Sequence, residues 1–399
     1  MTSTTQNIIG MPLPFEDAEY RGRIDKARRA LHDAKLDAIL LYHQESMYYL
    51  FGYDQLGYWV YQTAILSAES EKVKVVCREA DYNFIDGLHF VEEMRNWLDD
   101  SADDPAKVTV DVLRESGLLG SSKRIGIELR SHALLPAYYE ALRTALAGQC
   151  ELVDASELIT DLRLRKSSAE IEYMKRAAQV MDAGFEAAFK IMRPGIAETE
   201  VLAASMAASF AAGGDVPAIF PPTASGPRTL SETHGAATSR KIQNNEPFVF
   251  EIGGCYRRYH AVGVQSKWIG DVPSDIRTAY DVLTEGLEVG LQGLKPGVPT
   301  SQLANKVNTF LEGKGMYSPG RHIGYGTGIG YPPTWLDNLR IKVTDTHVLE
   351  PGMTFFYMLH RTVPTSSGPV VLFVGEPILI TDQGCAQLKS VPFRLEVSG

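Results

Sequence analysis

Two stretches of this chain share one amphipathic pattern, and this repeat limits the possible folds more than any other feature of the sequence. Residues 174–192 carry apolar side chains at helical spacing and run into the Pro-Gly pair at 194–195. The same shift along the chain places a matching apolar series at 276–294, ahead of the Pro-Gly pair at 296–297. Such spacing is typical of a helix with one buried face. Coincidence between two amphipathic helices is the alternative explanation.

A second helix is predicted after each Pro-Gly pair, at Glu198–Phe210 and at Ser301–Lys314. A helix pair that occurs twice indicates two α+β halves that face each other across a cleft. The first pair has a sharp start, because Ser167 and Glu170 have the spacing of a capping box.

The polar residues just before this helix predict a domain boundary, with one domain at 1–162 and a second at 163–399. Two domains agree with the length of 399 residues, since single hydrophobic cores rarely grow beyond ~250–300 residues. The first domain has a helical pattern at 17–34 and short apolar runs separated by helical stretches, which predicts an α/β domain. Its predicted strands lie at 38–42, 64–67, 73–76 and 124–128.

The composition excludes two classes of partner. The formal net charge is -10, and no run of Lys and Arg is dense enough for the basic patch that nucleic-acid binding requires. No apolar run reaches the ~18 residues that cross a bilayer. Glu16 and Asp17 stand where a signal peptide would carry its apolar core. The four cysteines are far apart, as expected for free thiols in a reducing compartment. We therefore expect a cytoplasmic protein without nucleic-acid or membrane partners.

The segment Thr229–Gly235 is a candidate for the functional site, because it surrounds His234 with polar and small residues. A histidine outside a motif is more often a structural hydrogen-bonding residue than a catalyst. Loops nevertheless carry a large share of binding and catalytic groups. We therefore treat His234 as a candidate catalytic residue.

A second candidate is Glu251, which directly follows the apolar run Phe248–Phe250. A carboxylate inside an apolar strand is costly unless it is paired or functional. Alternation along a strand places Glu251 on the face opposite Phe250. An ion pair with Arg257 or Arg258 is the structural alternative to a functional role.

Two further segments are unusual for a plain core. Residues 324–330 have a glycine at every second position, without the spacing of a phosphate-binding loop. These glycines predict close backbone approach to a ligand or to another strand. Residues 349–353 predict a turn before a strand at 354–358, and a further strand at 375–380 has Glu376 at its start.

In this order, the four segments resemble the catalytic domain of the pita-bread family, which includes prolidase, methionine aminopeptidase and creatinase. The run Leu349–Met353 is the most recognisable part of the resemblance, which covers nearly the whole chain. The resemblance implies an α/β N-terminal domain of the creatinase/prolidase type. It also implies an α+β pita-bread catalytic domain with an internal pseudo-twofold repeat, in agreement with the repeated helix pair.

The metallopeptidases of this family hold two metal ions with two aspartates, one histidine and two glutamates. Most of the matching positions in this chain carry side chains without a suitable donor for a divalent ion. The resemblance therefore implies a protein without a metal site, and no cofactor is expected. The five matching positions are Glu251, Val262, Thr327, Met358 and Gly375.

The chain also resembles two metal-free branches of the family, creatinase and ectoine hydrolase, which cleave a C–N bond at an amidine-type carbon. His234 matches the catalytic histidine of creatinase, but the creatinase carboxylates that hold the guanidinium fall at Val264 and Met358. The N-terminal segments 47–54 and 58–62 resemble the substrate loop of ectoine hydrolase. The ectoine hydrolase branch is therefore the better match.

From the residues and the resemblance together, we predict a metal-independent hydrolase of a C–N bond in a small cyclic amidine or amide. Glu251 is the predicted base or nucleophile, and His234 or His260 relays the proton to the leaving nitrogen. Aromatic residues are expected to flank the planar cation, by contacts worth ~0.5–2 kcal/mol when desolvated. The resemblance implies a homodimer. The predicted substrate-binding residues are Tyr58, Trp59, Tyr61, Tyr325, Tyr331, Trp335, Met358 and Glu376.

Three alternatives stay open at this point. The first is a creatinase-like amidinohydrolase with another substrate, and the second is a metal-dependent Xaa-Pro peptidase. The third is a protein without enzymatic activity, since some pita-bread domains serve only as peptide-binding modules. A change from catalysis to peptide binding would explain the loss of four metal ligands.

Overall fold

The computed structural model describes residues 13–81, 87–98, 104–231, 234–316, 320–365 and 368–397. The chain divides into two units, residues 1–163 and residues 164–399. None of the helices in the described ranges is both long enough and apolar enough to cross a membrane.

The first unit has an α/β architecture, as predicted. Its described strands are β1 (Ala38–Leu41), β2 (Thr63–Ser67), β3 (Val73–Arg78), β4 (Val91–Trp97), β5 (Arg124–Ile127) and β6 (Glu151–Asp154). They form one mixed sheet in the order β4-β3-β2-β1-β5-β6, with β1 antiparallel to β2 and parallel to β5. The helices are α1 (Asp17–Asp33), α2 (Gln44–Phe51), α3 (Pro105–Glu115), α4 (Pro136–Ala145) and α5 (Leu158–Arg163).

The second unit contains the predicted repeat, and each half supplies one helix pair. The first pair is α6 (Ser168–Ile191) and α7 (Glu198–Ala211), and the second is α8 (Ser274–Leu291) and α9 (Thr300–Gly313). The predicted capping box is confirmed. Ser167 Oγ accepts from the Glu170 N–H at 3.3 Å, and a Glu170 carboxylate oxygen accepts from the Ser167 N–H at 2.9 Å.

The strands of the described second unit form one eight-stranded antiparallel sheet. Its strands are β7 (Thr223–Ser225), β8 (Glu246–Tyr256), β9 (Tyr259–Ile269), β10 (His322–Tyr331), β11 (Thr334–Lys342), β12 (Thr354–Val363), β13 (Val370–Thr381) and β14 (Gly384–Gln387). The order is β11-β10-β12-β13-β9-β8-β7, with β14 beside β13. Strand β10 also pairs with β9, between Ile329 and Tyr259, so the sheet curves back on itself.

The two faces of this sheet differ, and the difference decides which side chains reach the functional site. Phe250 on β8 and Phe355 on β12 belong to apolar clusters that include residues of the helices. We call this the helix-covered face. Val249 on β8 and Phe356 on β12 lie on the other face, as strand alternation requires. We call it the site face. Glu251 shares it, so the prediction that Glu251 faces away from Phe250 is confirmed.

Glycines let parts of this sheet approach one another closely, as predicted for residues 324–330. A Cβ atom at Gly324 would lie 2.5 Å from the Phe356 carbonyl oxygen, and one at Gly253 would lie 2.7 Å from the Trp335 ring. Both distances are shorter than the ~3.5–4.0 Å of an ordinary carbon contact. The close approach of β12 to β10, and of Trp335 to β8, therefore requires glycine at these positions.

Candidate active site

Glu251 lies in the middle of β8 and is only 5% exposed. Burial raises the pKa of Glu251 to about 8, although a hydrogen bond from Tyr325 opposes the rise. None of the described residues forms an ion pair with Glu251. The structural alternative, an ion pair with Arg257 or Arg258, is therefore absent from the described part of the chain, and the carboxyl group is buried without a cation.

A chain of hydrogen bonds fixes the position of this carboxyl group. The Trp335 indole N–H donates to the Tyr325 hydroxyl oxygen at 3.1 Å, and the Tyr325 hydroxyl donates to the Glu251 carboxyl. Burial and the neighbouring Glu251 raise the pKa of Tyr325, which keeps its hydroxyl proton. Tyr325 thus reaches the site directly, whereas Trp335 acts through Tyr325.

Glu251 lines a cavity of about 240 Å³ on the site face. Pockets for drug-sized ligands enclose ~300–1,000 Å³, so this cavity suits a smaller molecule. Three other predicted site residues line it, namely His234, Tyr325 and Met358. The remaining described lining residues are Gly320, His322, His360 and Phe373.

His360 lies two residues after Met358 on β12 and therefore on the same face. Its ring meets Phe373 edge-on, with the ring centroids 5.0 Å apart and 81° between the ring planes. The Nε2 atom is buried, and no hydrogen-bonding group within the described residues lies in reach of it. Burial, followed by the nearby Arg361 and His234, lowers the pKa of His360, so its ring is neutral at pH 7.

Two other histidines complete the described polar wall. His322 at the start of β10 stacks on Tyr325, with 6.2 Å between ring centroids and 12° between ring planes. Burial lowers the pKa of His322 as well. His234, by contrast, is exposed at the edge of the cavity. The described wall therefore combines one carboxyl group with three imidazoles.

The segment that carries His234 is anchored by Glu198, a fully buried carboxylate at the start of α7. This carboxylate accepts from the N–H and hydroxyl of Ser225, at 2.9 Å and 2.6 Å, and forms an ion pair with Arg228. It also accepts from the N–H and hydroxyl of Thr238, at 2.9 Å and 2.8 Å. Glu198 thus holds both sides of the segment 225–238, of which residues 232–233 lie outside the described ranges.

His260, predicted to be catalytic, lies on β9 and is buried outside the cavity wall. Its Nε2 accepts the Ala218 backbone N–H at 2.9 Å, and its Nδ1–H donates to the Arg258 carbonyl oxygen at 2.9 Å. Burial lowers the pKa of His260 to about 4. Because both ring nitrogens are engaged in the neutral form, the structure gives His260 a structural role in place of the predicted catalytic one.

The predicted role of Glu376 also differs from its place in the structure. It pairs opposite Tyr357 on β12, whereas the preceding Gly375 pairs opposite Met358. Since Met358 lines the cavity, Glu376 points to the helix-covered face. There its two carboxylate oxygens accept from Gln387 Nε2, at 2.9 Å and 2.8 Å. The predicted substrate-binding role of Glu376 is therefore replaced by a place in a separate buried cluster.

Tyr331 also lies outside the described cavity wall. It is buried at the end of β10, and the guanidinium carbon of Arg258 lies 5.0 Å from its ring centroid. The cation beside the Tyr331 ring is thus the Arg258 side chain of the protein itself. Tyr331 is therefore not placed to flank a substrate in the described cavity.

The architecture and the site can now be compared with known proteins. Residues 172–381 match the model of metallopeptidase family M24, and residues 23–165 match the creatinase/prolidase N-terminal domain. The chain belongs to family M24. Ectoine hydrolase of Halomonas elongata is 28% identical to it, over 98% of this chain and 100% of that protein. The Xaa-Pro dipeptidase of Pyrococcus furiosus is 24% identical, over 68% of this chain and 75% of that protein.

A solved structure shows the same fold. The dipeptidase PepE of Mycobacterium ulcerans superposes with a TM-score of 0.80 at 22% identity, over 96% of this chain and 99% of that one. The predicted pita-bread fold with a creatinase-type N-terminal domain is confirmed. The M24 relatives named above are hydrolases, and this chain is accordingly placed among the hydrolases of the family.

The described residues do not supply the metal ligands that M24 membership implies. Among the described residues, no group of three His, Cys, Asp or Glu side chains is arranged to hold a metal ion. Val262 and Met358 offer no oxygen or nitrogen donor. A Cβ atom at Gly375 would lie 2.6 Å from the Phe356 ring, so a longer side chain fits there only if that ring moves. The residues present therefore do not fit a dinuclear metal centre.

Purified protein is expected to contain only substoichiometric manganese, iron, cobalt or zinc, because four of the five family ligand positions lack a suitable donor. Elemental analysis after dialysis against a chelator measures this, and turnover is expected to survive the dialysis. The variant Glu251→Gln lacks the remaining carboxylate donor and serves as the matched control. It is expected to contain the same trace amount of metal as the wild type. Stoichiometric metal whose removal abolishes activity would contradict the expectation.

The predicted N-terminal substrate residues belong to the first unit. Tyr61 lies in the core of that unit, where its hydroxyl meets the hydroxyls of Tyr42 at 2.9 Å and Thr109 at 2.7 Å. Tyr58 is buried, and its ring centroid lies 5.9 Å from that of Trp59. Trp59 is 65% exposed. Tyr61 is therefore a core residue, and the roles of Tyr58 and Trp59 in substrate binding stay predictions.

The sequence reasoning missed four of the described lining residues, namely Gly320, His322, His360 and Phe373. Only His360 had a usable signal, because strand alternation from Met358 places it on the same face. His322 precedes the glycine-rich run, and no local sequence pattern around it predicts that it reaches the cavity. Phe373 reaches the cavity through its pairing opposite His360, which is a contact between distant parts of the chain.

Proposed function

We propose that this M24 protein hydrolyses a C–N bond in a small cyclic amidine without a metal ion, with ectoine as the best named substrate. The observation that carries the proposal is Glu251, a buried carboxyl group that lines a small cavity and has no cationic partner among the described residues. A buried carboxylate is strongly destabilised without a positive partner, and an amidinium ion supplies one. The 28% identity to ectoine hydrolase over 98% of the chain supports the same substrate class.

The size of the cavity also favours a small ring. A volume of about 240 Å³ admits one compact heterocycle and is too small for a long peptide. The described wall beside Glu251 includes the neutral imidazoles of His322 and His360 and the ring of Phe373. Glu251 is therefore the group within that wall that is suited to hold a cation.

Binding of the cation prepares Glu251 for reaction. In the empty site the carboxyl is protonated at pH 7, because burial raises the pKa of Glu251 to about 8. A bound amidinium favours the ionised form by its opposite charge. The carboxylate then takes a proton from a water molecule as the water oxygen attacks the amidinium carbon. Attack by the carboxylate itself is the other course, and water then hydrolyses the acyl intermediate.

The reaction forms one C–O bond and breaks one ring C–N bond. Both protons of the water end on the departing nitrogen, which leaves as an ammonium group while the carbon becomes an amide carbonyl. Glu251 carries one of these protons. His234, exposed at the edge of the cavity, relays the other.

The three alternatives have less support. A creatinase-like reaction on a guanidinium is disfavoured, because this chain carries Val264 and Met358 at the positions where creatinase carries carboxylates. A metal-dependent Xaa-Pro peptidase lacks the donor set described above. A peptide-binding protein without activity has no use for a buried carboxyl without a cation, which lowers stability.

We also propose that the protein is a homodimer in which Tyr58 and Trp59 complete the site of the partner subunit, as the family resemblance implies. The exposure of Trp59, at 65%, is consistent with an aromatic side chain that serves a partner. Light scattering at micromolar concentration is expected to give twice the chain mass of 43.9 kDa. A monomer with full activity would refute the composite site.

Incubation of the purified protein with ectoine and related cyclic amidines tests the proposed reaction. Mass spectrometry is expected to show a product heavier by one water and carrying a new free amine. Xaa-Pro dipeptides, offered in parallel, are expected to stay intact. Hydrolysis of the dipeptides, with no turnover of any cyclic amidine, would overturn the proposal.

A further inference from the structure

A second cavity in the second unit, of about 520 Å³, lies on the helix-covered face of the large sheet. We call it the lysine cavity, because Lys267 of β9 lines it together with side chains of α6 and of the segment 390–396. Lys267 pairs opposite Phe248, which belongs to the same apolar cluster as Phe250. Directly paired residues point to the same face, so the lysine cavity and the cavity of Glu251 lie on opposite faces. Its volume is within the ~300–1,000 Å³ of pockets for small ligands.

The amine of Lys267 lies at the wall of this cavity, although the residue is only 4% exposed. Its Nζ donates to the Arg394 carbonyl oxygen at 2.6 Å and lies 4.0 Å from the centroid of the Phe189 ring. Both of these residues also line the cavity. Among the described residues, no carboxylate forms an ion pair with the amine, and Glu396 acts on it only from a distance.

This amine has unused capacity to bind an anion. A lysine ammonium carries three N–H donors, and the bond to Arg394 uses one of them. Burial, followed by the nearby Arg394, lowers the pKa of Lys267 to about 8, so the ammonium form still predominates at pH 7. A buried charge is costly unless an opposite charge pairs with it. A bound anion would supply both that charge and the acceptor for the remaining donors.

The other lining side chains indicate what kind of anion fits. The described wall carries three cations and two carboxylates, which leaves one net positive charge. These groups are Lys190, Lys267 and Arg394, and Glu186 and Glu396. Phe189, Val391 and Pro392 add an apolar part to the wall. A monocarboxylate with an apolar body matches both properties, whereas a phosphate group carries roughly -1.5 to -2 charges and offers no apolar surface.

We propose that the lysine cavity binds a small monocarboxylate with an apolar body, whose carboxylate accepts hydrogen bonds from Lys267 Nζ. The site is separate from the cavity of Glu251, and the inference does not depend on the proposed function. The buried lysine gives the site its charge, and the neighbouring Phe189, Val391 and Pro392 contact the apolar part of the ligand.

Isothermal titration calorimetry with benzoate as the probe, at low salt and pH 7, tests this site. The wild type is expected to bind one benzoate per chain. Lys267→Met keeps a long side chain but has no charge, and its affinity is expected to be ~10- to 100-fold lower, the range for one hydrogen bond to a charged group. Lys175→Met is the matched control with unchanged affinity, because it removes an exposed charge of α6 that pairs with Glu172.

The pH dependence of benzoate binding is a second measurement, made on the wild type. Only the ammonium form of Lys267 binds the anion, and the fraction in that form falls as pH rises through the pKa of about 8. Affinity is therefore expected to fall about tenfold between pH 7 and pH 9. Lys267→Met is expected to lack this dependence, which separates Lys267 from the other groups that face it. Those groups are Lys389, Arg394 and Glu396, with Glu186 and Lys190 on α6.

Four outcomes would overturn the inference. The first is no binding of benzoate by the wild type at millimolar concentration, and the second is equal affinity in Lys267→Met. The third is inorganic phosphate bound as tightly as benzoate, because phosphate buries no apolar surface and is expected to bind at least ~10-fold more weakly. The fourth is loss of benzoate binding in Glu251→Gln, which would place the probe in the other cavity. If Lys267→Met does not fold, Lys267→Gln takes its place, and the wild-type pH dependence still decides.

Discussion

Glu251→Gln is expected to lower the turnover of a cyclic amidine by at least ~10²-fold, the low end for loss of a general base. Glutamine keeps the shape of the side chain, and its amide oxygen still accepts from Tyr325. It has neither the negative charge that holds the cation nor the capacity to take a proton. The measurement is kcat and KM on purified protein. Asp182→Asn, a buried carboxylate on α6 that accepts from Ser390, is the matched control with unchanged turnover.

The same variant has an expected effect on stability that depends on pH. The folded protein raises the pKa of Glu251 from 4.5 to about 8. Between these values the folded state holds a proton that the unfolded state has released, so wild-type stability falls as pH rises. Glutamine does not titrate. Relative to the wild type, Glu251→Gln is therefore expected to gain on the order of a few kcal/mol between pH 5 and pH 8.

Thermal unfolding of both proteins at the two pH values measures this gain. A variant that is destabilised at both pH values and still fully active would show that Glu251 is a structural residue. The catalytic assignment would then pass to His234, the other predicted catalytic residue in the described cavity wall.

Glu198→Ala is expected to lower the free energy of unfolding by ~3–5 kcal/mol, as for other broken buried ion pairs. The change leaves Arg228 without its carboxylate and removes the acceptor of the Ser225 and Thr238 N–H groups. Because these groups hold the segment that carries His234, turnover is expected to fall even where the variant is folded. Glu198 is thus a positioning residue, and its test needs kinetics as well as stability.

Chemical denaturation and steady-state kinetics at one temperature measure the two effects together. Burial raises the pKa of Glu198, but the hydrogen bonds from Ser225 and Thr238 outweigh it and lower the pKa overall. The carboxylate therefore stabilises the fold above its unfolded pKa, and this contribution is lost as pH falls through the folded pKa. Glu200→Ala, at an exposed neighbour paired with Lys241, is the control and is expected to change the free energy of unfolding far less than Glu198→Ala does. An unchanged midpoint for Glu198→Ala would contradict the anchoring role.

Local sequence patterns were sufficient to predict most of the fold. The repeated apolar stripes located α6 and α8, and the capping box at Ser167 located the start of the first. Alternation along β8 gave the face of Glu251, because a strand with one residue on the helix-covered face must place the next on the site face. These features depend only on neighbouring residues, so a single sequence contains them.

The errors at the site have a different physical origin. His260 was predicted to be catalytic, but its role depends on the Ala218 N–H, which comes from a distant loop. Glu376 was predicted to bind substrate, and strand alternation alone argues against it, because Gly375 next to it occupies the site-face position. The same alternation would have found His360 from Met358. Part of the site could therefore be predicted from the sequence. The part that could not consists of contacts between distant segments.

The contact between Phe356 and Gly375 bears on any attempt to build the family's metal site into this protein. Restoring the family ligand set requires new side chains at Val262, Thr327, Met358 and Gly375. The last of these is blocked while the Phe356 ring lies 2.6 Å from where a Cβ atom would stand. A longer side chain there requires the Phe356 ring to move, and that ring packs against Tyr325 and Phe373 of the described cavity wall. A design that adds the missing metal ligands must therefore repack the wall of the described cavity as well.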